Sequence, residues 1–319
     1  MLKQRDISID IIKFFAAILI TNSHMGNLYV YGKALATGGA IGDALFFFCS
    51  GYTLFLGREL PFFNWYKRRI SRIFPTIIMW GLFESLFFNI HDDFAHVLIN
   101  DGRWFVTCIM LYYIFLYFVR KYFNSRLSIA FGISIAISII AYFLVDNHIE
   151  NIYGTNGFRQ VFFFLFMLLG AAIGKNKDKT HFSLGRDILF TFFFFLSFYG
   201  IQFIYPKMEI GELQLLSIIA LLFISFYFWK ICKNKYLERI YNSQVMGFII
   251  KFIGGLCLEI YVVQHALFTT RMNHLFPLNL IIMFVIILLV AYILRCAARL
   301  FLQTFSKENY NWKEILRLV

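Results

Sequence analysis

Apolar stretches about as long as a membrane-spanning helix recur along almost the whole chain, and they constrain its fold more than any other feature. A helix needs about 20 predominantly apolar residues to cross the hydrocarbon core of a bilayer. Of the 319 residues, 60% are hydrophobic and only 15% are charged, and 42 are phenylalanine. A soluble domain of this length could not bury so much apolar surface, so the sequence predicts an integral membrane protein.

Ten segments have the length and apolar content of a span, which predicts an all-α polytopic membrane helix bundle. The predicted spans are 9–28, 41–57, 73–90, 104–119, 127–145, 158–174, 187–205, 213–229, 253–270 and 278–297. No internal repeat, linker or soluble segment separates them. We therefore expect residues 1–319 to form a single integral-membrane domain.

The distribution of basic residues predicts the orientation of the bundle. Lysine and arginine concentrate on the cytoplasmic side of membrane proteins. With a cytoplasmic N-terminus, the inner segments hold 24 of the 30 basic residues and the outer loops hold five. This asymmetry predicts that both termini are cytoplasmic. Because the basic residues form short clusters between apolar runs, the net charge of +12 indicates contact with membrane lipid and not with nucleic acid.

The first predicted span carries three ionisable residues, which are costly inside a membrane and often functional. Lys13 and His24 are eleven residues apart, so they share one helix face and lie about 16 Å apart along the axis. Asp10 precedes Lys13 by one turn and can pair with it. The alternative is that Lys13 extends to the interface and His24 is an interfacial hydrogen-bonding residue.

A basic cluster precedes the third predicted span. If the segment is helical, Arg68 and Arg69 each lie three or four residues from Arg72 on neighbouring turns. Arginine forks at a cytoplasmic boundary suit a polyphosphate ligand. The alternative is an ordinary cytoplasmic anchor for the helix.

The ninth predicted span contains Glu259, Tyr261 and His265. Tyr261 and His265 share a face, whereas Glu259 points elsewhere and must be protonated or paired with an intramembrane cation. The segment fits either helix packing or the wall of a polar cavity.

Together these segments resemble the bacterial membrane acyltransferase-3 family, which acylates cell-surface glycans. The family's basic residue and histidine in the first span are matched by Lys13 and His24, with lysine where arginine is usual. Its FFxxSGY element is matched by Phe46 to Tyr52, and its RRxxRIxP element by Arg68 to Pro75.

Two further elements complete the resemblance, which covers about residues 5–297. Trp104-Phe105 matches an aromatic pair that opens the fourth span, and Leu258 to His265 matches a late element. Cys257 stands where the family commonly has serine.

The resemblance implies an O-acyltransferase of the bacterial inner membrane that modifies polysaccharides. It would move an acyl group, most often acetyl, from cytoplasmic acyl-CoA to a hydroxyl of a cell-surface or lipid-linked glycan. The donor would be acetyl-CoA, and no metal is expected. No oligomeric state is implied.

The resemblance also implies roles for individual residues. His24 would be the general base or an acyl relay, and Lys13 and Asp10 would orient the donor or stabilise charge. The three arginines Arg68, Arg69 and Arg72 would bind the donor's phosphates. The candidate substrate-binding residues are Trp104, Glu259, Tyr261 and His265.

Two alternatives remain at this point. Ten spans with intramembrane charges also fit a glycan or small-molecule transporter or flippase. Ser50 could be a nucleophile, but no G-x-S-x-G turn surrounds it, and Ser50-Gly51 is more typical of close helix packing.

Overall fold

The computed structural model describes residues 6–87, 104–144, 151–154 and 157–318, and in these ranges every regular element is a helix. The α-helices are α1 Ile7–His24, α2 Gly39–Phe55, α3 Phe62–Phe87, α4 Trp104–Tyr122, α5 Leu127–Leu144, α6 Arg159–Phe162, α7 Phe164–Asn176, α8 Leu184–Met208, α9 Leu213–Cys232, α10 Lys235–Asn242, α11 Gln244–Gly255, α12 Cys257–Leu267, α13 Leu278–Thr304 and α14 Trp312–Ile315. Short 3₁₀ helices follow α1, α7 and α12.

The predicted all-α polytopic helix bundle is confirmed. In the described part of the chain, eight helical segments are long and apolar enough to cross a membrane. They are α1, residues 33–55 with α2, and α3, α4, α5, α8, α9 and α13. Helices α11 and α12 would together form a ninth span, bent by 71°.

The predicted span at 158–174 differs from the observed helices. Regular α-helical hydrogen bonding is interrupted at Phe163, although its backbone keeps right-handed helical dihedral angles. Helix α7 by itself has 13 residues and a length of about 20 Å, against about 30 Å of hydrocarbon. Phe162, Phe163 and Phe166 are buried at this break. A continuously apolar run such as residues 161–169 gives no periodic signal for such an interruption. By length and composition, eight helical segments of the described residues pass as spans, or nine with α11 and α12 counted together, and α6 with α7 is not among them.

The chain divides into two compact units that alternate along the sequence. The first unit contains residues 1–12, 43–58 and 111–243, and the second contains residues 13–42, 59–110 and 244–319. The expectation of a single domain over residues 1–319 stays a prediction.

Within the first unit, α2 and α7 approach at backbone contact. A side chain at Gly51 would collide with the carbonyl of Met167, and one at Gly170 would collide with the carbonyl of Phe48. Small residues allow this approach between membrane helices. The interpretation of Ser50-Gly51 as a packing element is therefore confirmed for Gly51.

The first unit also holds a buried ion pair between α8 and α9. The Lys230 ammonium lies 2.5 Å from a carboxylate oxygen of Asp187, and both side chains are almost fully buried. The second carboxylate oxygen of Asp187 accepts a hydrogen bond from the Ser183 backbone N–H at the start of α8. The charges thus neutralise each other inside the bundle, as buried charges require.

Within the second unit, α3 packs against α12 and α13, and α12 also packs against α13. The bend between α11 and α12 is held by Arg295 of α13. Its guanidinium donates to both carboxylate oxygens of Glu259, at 3.3 and 3.0 Å, and to the carbonyl of Gly255. Of the two alternatives predicted for Glu259, protonation or pairing with a cation, the structure shows the ion pair.

Candidate active site

The polar residues of α1 and α12 lie on two helices that run side by side within the second unit. At one end, the Cys257 thiol donates to the Lys13 carbonyl oxygen at 3.3 Å. At the other end, the ring centroids of His24 and His265 are 4.4 Å apart. Because both contacts follow chain order, the two helices are parallel along this length.

His24 and His265 form an edge-to-face pair with an interplanar angle of 68°. His24 is the last residue of α1, and His265 lies two residues before the end of α12. Both rings are exposed. One ligand can therefore reach both imidazoles, so that one ring can take a proton while the other makes a hydrogen bond.

Lys13 lies about three helical turns before His24 on α1. Its side chain is half-buried, and its ammonium makes no hydrogen bond or ion pair with the described residues of the second unit. A cation in this position is available to a negatively charged or polarised ligand group.

Asp10 belongs to the first unit. Its buried carboxylate accepts a hydrogen bond from the Tyr241 hydroxyl at 2.8 Å. Tyr241 was not among the predicted site residues, since nothing in its local sequence marks it. The pairing of Asp10 with Lys13 stays a prediction.

A basic groove of about 490 Å³ lies along the first turns of α3. The lining residues are Leu60, Asn64, Lys67, Arg68, Ser71 and Arg72. They recur at three- and four-residue intervals, which places them along one side of the helix. The segment is therefore helical, as the predicted convergence of Arg68 and Arg72 requires, and both residues line the same groove. Lys67 is a third cation of the groove.

Arg69 is not a lining residue of this groove. Its guanidinium lies 5.1 Å from the ring centroid of Trp65, which is buried. Cation–π contacts of this kind hold an arginine against an aromatic face. The structure thus places Arg69 apart from Arg68, about 100° around the helix.

Tyr261 is buried among aromatic residues at the start of α4. Its ring centroid lies 5.2 Å from that of Phe105, which in turn meets Trp104 edge to face at 5.9 Å. The late sequence element and the Trp104-Phe105 pair are therefore in contact within the second unit.

Nine of the ten predicted site residues belong to the second unit, and only Asp10 belongs to the first. A family model described as an acyltransferase domain, acyltransferase-3, matches residues 6–296. The chain belongs to the acyltransferase-3 family. Comparison with curated proteins and with solved structures finds no match.

This acyltransferase-3 member is a multi-pass membrane acyltransferase. The family match begins at Asp6 and ends at Cys296. It therefore includes the histidine pair, Lys13 and the basic groove. It also includes Arg295, for which the sequence alone predicts only a cytoplasmic location.

Proposed function

We propose that this acyltransferase moves an acetyl group from cytoplasmic acetyl-CoA to a hydroxyl of a cell-surface or lipid-linked glycan in the bacterial inner membrane. The observation that carries the proposal is the pairing of His24 with His265, at the ends of two parallel helices. Family membership supports acyl transfer over the alternative of a glycan transporter or flippase.

The basic groove is the proposed site for the phosphates of the donor. Its volume of about 490 Å³ lies within the range of roughly 300–1,000 Å³ that is typical of ligand sites. Lys67, Arg68 and Arg72 supply three cations, and arginine forks match phosphate oxygens. Arg69 instead steadies α3 through its contact with Trp65.

His24 is the proposed general base. It takes the proton of the acceptor hydroxyl, and the acceptor oxygen forms a bond to the thioester carbonyl carbon. When the carbon–sulfur bond breaks, the proton passes from the imidazolium to the leaving thiolate, which gives free coenzyme A. In the alternative relay, the imidazole attacks the thioester itself and carries the acyl group to the acceptor.

His265 and Lys13 support this chemistry from the same two helices. His265 makes a hydrogen bond to the acceptor or to the acyl group beside His24. The Lys13 ammonium stabilises negative charge as the thioester reacts. With both termini cytoplasmic, the groove opens to the donor and the histidines lie towards the outer surface, where the glycan is modified.

The proposal is tested by the glycans of a bacterial strain that lacks this chain. Mass spectrometry should find one acetyl mass missing from a surface or lipid-linked glycan. A plasmid carrying the wild-type chain should restore that mass, and one carrying His24→Ala should not. Identical glycan masses in the deletion and parent strains would contradict the proposal.

A further inference from the structure

Gln264 is a fully buried amide without a hydrogen-bond partner. Both its side-chain oxygen and its nitrogen are enclosed, and neither bonds to any group in the described part of the chain. The hydroxyl of Thr21 on α1 is likewise buried and has no hydrogen-bond partner in the described part of the chain. Buried polar groups are nearly always hydrogen-bonded, so an exception calls for an explanation, and a catalytic role is one.

These two side chains lie on the sides of α1 and α12 that carry the site. Thr21 precedes His24 by three residues, which places the two about 60° apart around α1. Gln264 follows Cys257 by seven residues, which places the two about 20° apart around α12. Since Cys257 and His265 both contact α1, Gln264 lies on the face of α12 that is turned towards α1.

We infer that the Gln264 amide and the Thr21 hydroxyl bind the carbonyl oxygen of the acyl group during transfer. The inference rests on the proposed acyl transfer. Gln264 offers two N–H donors and Thr21 offers one O–H donor. Donors fixed in a site without water stabilise an oxyanion strongly, because they need no reorganisation when the charge develops.

The donors act at one point of the reaction. As the acceptor oxygen bonds to the thioester carbon, the π electrons of the carbonyl move to its oxygen, and the two side chains hold that oxyanion. When the carbonyl re-forms, the carbon–sulfur bond breaks and the thiolate leaves with the proton held by His24. The amide oxygen of Gln264 accepts a hydrogen bond from a second hydroxyl of the acceptor saccharide.

The test compares Gln264→Leu with Gln214→Leu in the purified full chain. Gln214 is an equally buried glutamine, but its side-chain oxygen accepts a hydrogen bond from the Ile152 backbone N–H at 3.0 Å. Removing an unpartnered buried amide does not destabilise a protein, whereas removing a partnered one does. Gln264→Leu should therefore keep or raise the Tm, and Gln214→Leu should lower it.

The rate of transfer separates a catalytic role from a structural one. It is measured with labelled acetyl-CoA and with glycan extracted from membranes that lack this chain. At saturating acetyl-CoA, Gln264→Leu should reduce the rate about 10²–10³-fold, as the loss of one oxyanion donor does. Its affinity for acetyl-CoA should stay unchanged. Thr21→Val should act in the same direction, and Thr21→Ser should retain the rate.

Two outcomes distinguish this inference from the proposed function. If wild-type protein transfers acetyl and His24→Ala abolishes transfer, a Gln264→Leu protein with the wild-type rate overturns the inference alone. A fall in Tm with an unchanged rate would likewise make Gln264 a structural residue. If wild-type protein transfers no acetyl, the proposed function fails, and the inference fails with it.

Discussion

The imidazole rings of His24 and His265 lie 4.4 Å apart, although the two residues are separated by almost the whole family domain. Each ring stands at or near the C-terminal end of its helix, and both are exposed. The contact joins the first and the last sequence elements of the acyltransferase-3 resemblance in one place. For this reason we propose that His265 acts beside His24, and not only as a substrate contact.

We predict that the neighbouring arginines of α3 have different roles, with Arg68 and Arg72 binding the donor and Arg69 stabilising the helix. Arg68→Ala and Arg72→Ala should each weaken acetyl-CoA binding by about 10- to 150-fold, because a charge-assisted hydrogen bond contributes about 1.5–3 kcal/mol. Arg69→Ala should leave the affinity unchanged and lower the Tm, since its guanidinium contacts Trp65. Isothermal titration calorimetry and thermal unfolding measure the two effects.

Arg126→Ala tests whether the loss of any positive charge weakens acetyl-CoA binding, because it removes an exposed cation far along the chain from α3. Its affinity for acetyl-CoA should equal that of the wild type. If Arg68→Ala and Arg72→Ala also bind normally, the groove is only a cytoplasmic anchor.

The ion pair between Glu259 and Arg295 predicts strongly coupled mutational effects. Arg295→Met alone should destabilise the protein by about 3–5 kcal/mol, because it leaves the buried Glu259 carboxylate uncompensated. Glu259→Leu alone should destabilise it less, because Arg295 is only half-buried. The double variant should recover much of that loss. Additive losses in a double-mutant cycle of unfolding free energies would show that the pair is not coupled.

We predict that Asp6, which directly precedes α1, contributes to the stability of the protein in a pH-dependent way. Burial raises the pKa of its carboxyl, but hydrogen bonds from Lys233, Tyr52 and Ser8 outweigh burial and hold the pKa below its usual value. A lowered pKa in the folded protein stabilises it above the unfolded pKa of about 4, and the contribution is lost as the pH falls through the folded value. Asp6→Asn should therefore lower the Tm at pH 7, and the difference from wild type should vanish in acid.

The matched control for Asp6 is Glu238→Gln, an exposed carboxylate on α10. Its Tm should follow that of the wild type at every pH. A Tm deficit of Asp6→Asn that is the same at pH 7 and in strong acid would exclude the titration of Asp6 as the cause.

The interruption at Phe163 makes a test of the membrane topology informative, because the topology depends on whether residues 158–174 cross the membrane. An even number of spans places both termini on one side, and an odd number places them on opposite sides. The basic asymmetry predicts that Lys177, directly after α7, is cytoplasmic. Reporter fusions at Lys177 and Lys235 should both report a cytoplasmic location, and one at Glu209 an external location; an external Lys177 would overturn the topology.

Local pattern was sufficient to predict the helical fold, the family and the polar face of α1. Tertiary contacts were not predictable in the same way. The partner of His24 lies on a distant helix. Nothing in the local sequence around Arg295 connects it with Glu259, so the sequence predicts only its cytoplasmic location. The separation of Arg69 from Arg68 follows from helix geometry alone, so the sequence contained that information. The interruption at Phe163 gives no sequence signal, since it lies within the continuously apolar residues 161–169.

Transfer of labelled acetyl by purified, folded His24→Ala tests the central claim most directly. The assay uses labelled acetyl-CoA and glycan from membranes that lack this chain, with wild type and His265→Ala in parallel. Loss of a general base costs about 10²–10⁴-fold in rate, so His24→Ala should lose that much and still bind acetyl-CoA normally. His265→Ala should lose less. A His24→Ala protein that is folded, binds acetyl-CoA and transfers acetyl at the wild-type rate would contradict the account.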